Sequence, residues 1–117
     1  MADNALPVVV RTYYRAIDAE DYDALEAVLH PEFQQIRPDR RFDGADAFVR
    51  FMREDRPRTD TVHEIHHVFR DVEPADGRRV AVEGTLRSES ADPLFAFVDV
   101  MDLTPDDRIR ALQTYTC

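Results

Sequence analysis

The stretch Leu94-Phe95-Ala96-Phe97-Val98-Asp99-Val100-Met101-Asp102-Leu103 decides the fold. Strand alternation puts Phe95, Phe97, Asp99, Met101 and Leu103 on one face and Ala96, Val98 and Val100 on the other. Both faces are apolar, so both need cover. Helical patterns elsewhere in the chain can cover one face. A second copy of the chain is the simplest cover for the other, which predicts a homodimer through the outer sheet face.

Working outward from this strand, the chain beyond Thr59 is rich in β-branched and aromatic residues broken by turn clusters, and it reads as four strands at 61–72, 78–88, 94–103 and 108–116. Pro74-Ala75-Asp76-Gly77, Ser90-Ala91-Asp92-Pro93 and Thr104-Pro105-Asp106-Asp107 connect them, and such short connectors predict antiparallel neighbours.

The N-terminal half carries helical spacing instead. Leu6, Val9, Val10, Tyr13 and Ile17 form one stripe on a helix starting near Asn4, with Asp3 or Asn4 as its cap. A second short helix begins after Asp21, its plausible N-cap, turns Leu25, Val28 and Leu29 inward and ends at Pro31. Phe33–Arg37 and Arg41–Phe42 flank a Pro38-Asp39-Arg40 turn as a short hairpin. Phe48, Val49 and Met52 then mark a third helix from Ala45 that stops before Pro57. Helices followed by consecutive strands are the α+β signature, here one domain over 1–117 with a curved antiparallel sheet closed over a pocket by three helices.

Composition narrows the function classes. The 24 acids outnumber 15 bases for a net charge of −9, and every base is arginine. Asp-rich, Lys-free chains resemble those of salt-loving organisms, although GC-rich codon usage also favours Arg over Lys. The acidic balance excludes nucleic acid as an expected partner, since phosphate binding needs a basic face. No apolar run approaches the length of a membrane span, and the N-terminus lacks the basic and apolar regions of a secretory signal, so the expected location is cytoplasmic. Cys117 is the only cysteine, which rules out an intrachain disulfide.

His63-Glu64-Ile65-His66-His67 fits the H-E-x-x-H zinc pattern in letters. That chemistry needs a helix, where residues four apart share a face; on a strand they stand about 13 Å apart. Val62, Ile65, Phe69 and Val72 keep a helix-like step, so periodicity alone is ambiguous; Thr59, Thr61 and Val68, with the resemblance given below, decide for strand, and no metal is expected. On a regular strand His66 shares a face with Val62, Glu64 and Val68, and His63 and His67 share the other with Ile65 and Phe69. The acids Asp18, Glu20, Asp21 and Asp23 read as a solvated, helix-capping turn.

Tyr13 through Leu25, then Leu29-His30-Pro31-Glu32-Phe33, Phe42-Asp43-Gly44, Gly77 through Val82 and Phe97-Val98-Asp99-Val100 together resemble, in order and spacing, a SnoaL-like domain of the nuclear transport factor 2-like superfamily. The resemblance implies a cone-shaped domain, often dimeric through the outer sheet face, with a deep pocket between helices and sheet. It does not imply one function, because ketosteroid isomerases, polyketide cyclases, dehydratases, epoxide hydrolases and non-catalytic modules share the fold. By resemblance to the ketosteroid isomerases, Tyr13 falls at the oxyanion tyrosine of helix one and Asp99 at its protonated partner aspartate. Arg37, before Pro38, stands where those isomerases carry their aspartate base.

These readings give two hypotheses. In the first, a cofactor-independent enzyme acts on a small apolar substrate bearing a carbonyl, hydroxyl or epoxide. Asp99, poorly hydrated among Phe97 and Met101, serves as acid or base and Tyr13 as helper. In the second, a non-catalytic dimeric module binds a small ligand. The resemblance places Ile109, Ala111, Gln113 and Tyr115 on the pocket side of the last strand, with Gln113 and Tyr115 as polar anchors. Arg37 either grips a substrate carboxylate at the pocket mouth or is a solvated hairpin residue, and His66 is a further candidate for the pocket wall.

Overall fold

The computed structural model describes residues 6–71 and 78–116. The expected caps Asp3 and Asn4, the strand end at Val72, the Pro74–Gly77 connector and Cys117 lie outside the described residues.

The first helix, α1, spans Val8–Ala19. It opens at Val8 rather than near Asn4, because Pro7 occupies the N-cap with φ −57°. The Pro7 carbonyl accepts from the Val10 and Arg11 amides, and proline is suited to a helix start, where its missing N–H is not needed. Its C-cap, Glu20, is left-handed at φ 58°. α2 spans Tyr22–Ala27, and the Asp21 side chain accepts from the Ala24 amide as expected of an N-cap. It ends earlier than Pro31 suggested, since Val28 already caps it and Leu29 begins a strand. α3 spans Ala45–Glu54 and buries Phe48, Val49, Phe51 and Met52.

The strands are β1 (Leu29–Ile36), β2 (Arg41–Asp43), β3 (Thr61–Arg70), β4 (Arg78–Ser88), β5 (Pro93–Leu103) and β6 (Ile109–Thr116). They form one six-stranded, curved and unclosed sheet in the order β2-β1-β6-β5-β4-β3. The expected α+β architecture holds, with one correction: β1 pairs with β6 in parallel, and every other pair is antiparallel. The N-terminal hairpin thus joins the same sheet beside its last strand.

Four pairings carry a register shift: β1·β6 between Leu29 and Gln34, β3·β4 between Ile65 and His67, β4·β5 between Leu86 and Arg87, and β5·β6 between Asp102 and Leu103. Each irregularity bends its strand and increases the local twist, which curls the sheet around the helices. The core lies in that concavity, where Leu25, Phe33, Phe48, Val82, Met101 and Ile109 are fully buried. Phe33 and Phe48 pack at 5.1 Å between ring centroids, and truncating either to alanine would remove about 3–5 kcal/mol.

Gly84 sets how closely β3, β4 and β5 approach. A Cβ there would lie 2.3 Å from the Glu64 carbonyl oxygen and 2.9 Å from the Phe97 ring. Only glycine leaves room for Phe97 to lie across the sheet at this point.

Candidate functional site

Between the helices and the inner sheet face lies a cavity of about 570 Å³. Its apolar wall includes Ile17, Met52, Leu86, Leu94, Phe95 and Phe97, and its polar wall includes Asp99, His63, Gln35, Thr114, Arg37 and Arg56. Leu94 and Phe95 are consecutive yet both line it, because the bulge opposite Leu86 and Arg87 breaks the alternation of β5.

Asp99 is the buried pole of this cavity, at 5% exposure. Tyr14 donates its hydroxyl to Oδ2 at 2.8 Å and Thr114 donates to Oδ1 at 2.7 Å. Thr114 directly opposes Asp99 across β5·β6, so both point inward. The chain of contacts continues: Gln35 Nε2 donates to Thr114 Oγ1 at 3.2 Å, and Arg37 Nε donates to Gln35 Oε1 at 3.0 Å. A guanidinium can only donate, so Arg37 fixes the Gln35 amide with its oxygen toward itself. The amide nitrogen then makes the Thr114 oxygen an acceptor and frees the Thr114 proton for Asp99. Loss of hydration raises the Asp99 carboxyl above the ordinary aspartate value; the Thr114 and Tyr14 hydrogen bonds and the nearby His63 and Arg37 pull it partly back.

Sequence reasoning paired Asp99 with Tyr13, but the hydrogen-bonded tyrosine is Tyr14. Tyr14 is 4% exposed, and its ring stands 4.9 Å from that of His63 and 6.1 Å from that of Phe97. Burial, then the charge and hydrogen bond of Asp99, push its phenol well above the usual tyrosine value. Tyr13 lines the cavity and stacks on Phe48 at 6.4 Å. Its phenol is raised chiefly by burial and then by Asp99, with Arg37 acting in the opposite direction.

His63 supplies a second pole. Asp18, at the end of α1, accepts from the His63 backbone N–H at 2.8 Å and sits 2.7 Å from Nδ1. With Nδ1 engaged by a carboxylate, the imidazole is held in one orientation with Nε2 as its remaining nitrogen. Asp18 is therefore a partner of the cavity wall, not a member of the solvated acidic turn expected from sequence.

Four expected site residues lie elsewhere. Gln113 and Tyr115 are exposed on the outer face, opposite Val100 and Val98, while Leu112, Thr114 and Thr116 point inward. The cause is Arg110: Asp102 opposes Ala111 and Leu103 opposes Ile109, so Arg110 is an extra residue that reverses the face of everything after it. His66 is the corresponding extra residue of β3, because Ile65 opposes Gly84 and His67 opposes Glu83. It is exposed and bonds Thr85 at 3.1 Å instead of entering the cavity. Met101 faces inward but is fully buried in the core and does not line the cavity. The zinc-like motif is likewise separated: His63 faces the cavity, and His67 lies on the exposed face against Glu83 at 2.7 Å. Phe97, Tyr13, Asp99 and Arg37 do line the cavity. Arg37 is half-buried rather than solvated, its guanidinium carbon 5.7 Å from the ring centroids of both Phe42 and Phe51.

Tyr14, Gln35 and Thr114 were missed. Tyr14 had a signal, being four residues after Val10 and three before Ile17, and Gln35 alternates with buried Phe33. Thr114 had none, because its face depends on the bulge.

Helices closing the concave face of a curved sheet over one cavity define the nuclear transport factor 2-like class. Within that class the chain belongs to the SnoaL-like domain family, whose model matches residues 10–112. Among curated proteins none matches it. Among solved structures, a candidate polyketide cyclase from Sinorhizobium meliloti is 21% identical at TM-score 0.79, with 98% of this chain and 99% of that one covered. A candidate isomerase of the SnoaL-like family from Agrobacterium tumefaciens is 14% identical at TM-score 0.72, covering 93% and 94%. The Orange Carotenoid Protein of Anabaena, solved binding canthaxanthin, is 23% identical at TM-score 0.79 over 93% of this chain but only 36% of its own length. At these identities the likeness shows the fold alone. Among the described residues no helix is long and apolar enough to cross a membrane.

Proposed function

We propose that the chain is a cofactor-independent proton-transfer enzyme acting on a small, largely apolar substrate with a carbonyl, hydroxyl or epoxide group. One observation carries this reading: a carboxylate-held imidazole and a buried carboxyl of raised pKa share the wall of one cavity. His63 Nε2 takes a proton from the carbon beside the substrate carbonyl, and Asp18 stabilises the imidazolium that forms. The developing oxyanion is met by the Asp99 carboxyl, which burial biases toward its proton-donating form, with the Tyr13 hydroxyl as a second donor. The imidazolium then returns its proton to a different carbon, which isomerises the substrate, or to a departing hydroxyl, which dehydrates it. Phe97 packs the apolar body and Arg37 anchors it at the mouth. The candidate cyclase and isomerase that share the fold carry names of this class of chemistry.

The test is deuterium exchange at the α-carbon of a panel of small cyclic and aryl ketones in D₂O, followed by NMR. The native chain is expected to accelerate exchange for some members, and His63→Gln to lose about 10²–10⁴-fold of that acceleration. Equal exchange by the native chain and His63→Gln would sink the proposal. A second reading, a ligand-binding module without catalysis, draws on the engagement of both Asp99 oxygens by Thr114 and Tyr14. Saturable ligand binding with no exchange would select it.

We further infer that a second copy covers the outer sheet face. Val62, Phe69 and Tyr115 are exposed on it, and Val98 and Val100 are only half-buried. Solution mass is expected to report a dimer, and a monomer at every dilution overturns this. The Lys-free acidic surface fits a salt-rich cytoplasm; a melting temperature that rises steadily with molar KCl supports that reading, and a flat response removes it.

A further inference from the structure

The arginines of the cavity differ from those of the surface. Surface arginines such as Arg41, Arg79 and Arg87 each face a carboxylate at about 3 Å. Arg37 and Arg56 line the cavity, and among the described residues neither forms an ion pair. Arg37 spends Nε on Gln35 and places Nη2 3.9 Å from the Met52 sulfur, a weak acceptor. Arg56 gives Nη2 to the Ile17 carbonyl at 3.2 Å and Nη1 to Thr61 at 3.4 Å, and its Nε is buried with no acceptor.

The other charged groups around the cavity already have partners. Asp39 at the rim turns to Arg40 at 3.3 Å, Arg58 is held by both oxygens of Asp60, and His63 is held by Asp18. Asp99 is occupied by Tyr14 and Thr114. A guanidinium withdrawn from water without a counter-charge is unfavourable. Yet in a chain with 24 acids and 15 bases, no acid among the described residues lies within ion-pair distance of these two arginines. Stacking of Arg37 with Phe42 and Phe51, and the anchoring of Arg56 to Ile17, hold both side chains in place before any anion arrives.

We infer that the cavity takes a carboxylate-bearing substrate, with Arg37 and Arg56 gripping the carboxylate and the apolar wall of Ile17, Met52, Leu86 and Phe97 receiving its body. This inference rests on the cavity being a small-molecule site and adds the charge of the ligand. A planar carboxylate suits the paired donors of a guanidinium edge. A cavity of about 570 Å³ lies within the usual range for small-molecule pockets.

The probes are phenylacetate and its uncharged isostere phenylacetamide, titrated against the full chain by calorimetry. Phenylacetate is expected to bind at least about tenfold more tightly than phenylacetamide. Arg37→Gln and Arg56→Gln are each expected to reduce that preference, lowering phenylacetate affinity by a larger factor than phenylacetamide affinity. Arg37→Gln keeps the test open if loss of the Ile17 contact unfolds Arg56→Gln. Equal affinity for the two probes overturns the carboxylate inference and leaves the small-molecule reading intact. Tighter binding of phenylacetamide overturns it likewise, as does absence of phenylacetate binding at millimolar concentration. Deuterium exchange of neutral ketones reports separately on the proton-transfer proposal.

Discussion

On the outer face of the sheet Arg79 meets Asp102 at 2.8 Å, Arg87 meets Glu64 at 3.0 Å and His67 meets Glu83 at 2.7 Å, all at least partly exposed on the single chain. Around the cavity Asp99 of β5 meets two hydroxyls, Arg37 of the β1–β2 turn meets an amide oxygen, and neither Arg37 nor Arg56, which follows α3, meets a carboxylate. The outer face neutralises charge pair by pair, where water makes each pair worth little. Around the cavity Asp99, Arg37 and Arg56 are ordered through directional, neutral partners, so charge is left available for a bound molecule. Adjacent residues on one backbone therefore obey different rules.

Position 84 gives the largest separation between the faces. Gly84→Ala puts a methyl group against the Glu64 carbonyl and the Phe97 ring. Backbone cannot yield as a flexible side chain can, so the cost is expected to be about 3 kcal/mol by chemical denaturation. Glu83→Ala, one residue away on the exposed face, is expected to stay within about 0.5 kcal/mol. A Gly84→Ala protein as stable as the native chain would mean that Phe97 has room to move, and the cavity wall would lose its rigidity.

The next contrast is between Thr114 and Gln113. Thr114→Val keeps the shape of the side chain but removes the hydroxyl that donates to Asp99 and accepts from Gln35. Two buried partners lose a hydrogen bond, which is expected to cost about 1–3 kcal/mol. It also removes one of the interactions that hold the Asp99 carboxyl down, so that carboxyl should move further up, a shift readable by carboxyl carbon NMR. Gln113→Leu on the outer face is expected to change stability by about 0.5 kcal/mol or less. If the two substitutions had equal effects, the relay from Arg37 to Asp99 would carry no energy.

Which parts of this contrast were legible in sequence depends on where the bulges fall. In β5 the inner run from Phe95 to Leu103 is uninterrupted, so alternation placed Phe97 and Asp99 correctly. In β3 and β6 a single extra residue, His66 or Arg110, reverses the faces, and nothing in residue type announces it. Gln113 and Tyr115 were therefore assigned to the cavity, and Thr114 was not. Tyr14 was legible from its spacing to Val10 and Ile17 but overshadowed by its neighbour Tyr13, since α1 buries both tyrosines. The parallel β1·β6 pair joins residues such as Gln34 and Ala111, far apart in sequence and linked by no local turn signal. Arg37 looked like a solvated hairpin residue because its partners Phe42, Phe51 and Gln35 converge only once α3 packs on the hairpin.

The smallest expected effect has the opposite sign to the others, and it probes the inner face directly. Asp99→Asn keeps an acceptor for Thr114 and presents an amide to Tyr14, so both contacts have a geometric replacement. It removes a group whose folded-state pKa is raised above its unfolded value of 3.8, chiefly by burial. Between those two values the folded chain retains a proton that the unfolded chain has released. Stability of the native protein therefore falls as pH rises through that window, and the penalty persists above it. Asp99→Asn escapes the penalty, so it is expected to melt at a higher temperature than the native chain at neutral and alkaline pH. The difference should close as pH falls toward 3.8. The corresponding outer-face change, Asp102→Asn, should lower the melting temperature slightly if it has any effect, and the loss should shrink with added salt. A difference for Asp99→Asn that is independent of pH would mean that the carboxyl is not held in its neutral form. Its assigned role as acid in the cavity would then fail, whatever ligand the arginines bind.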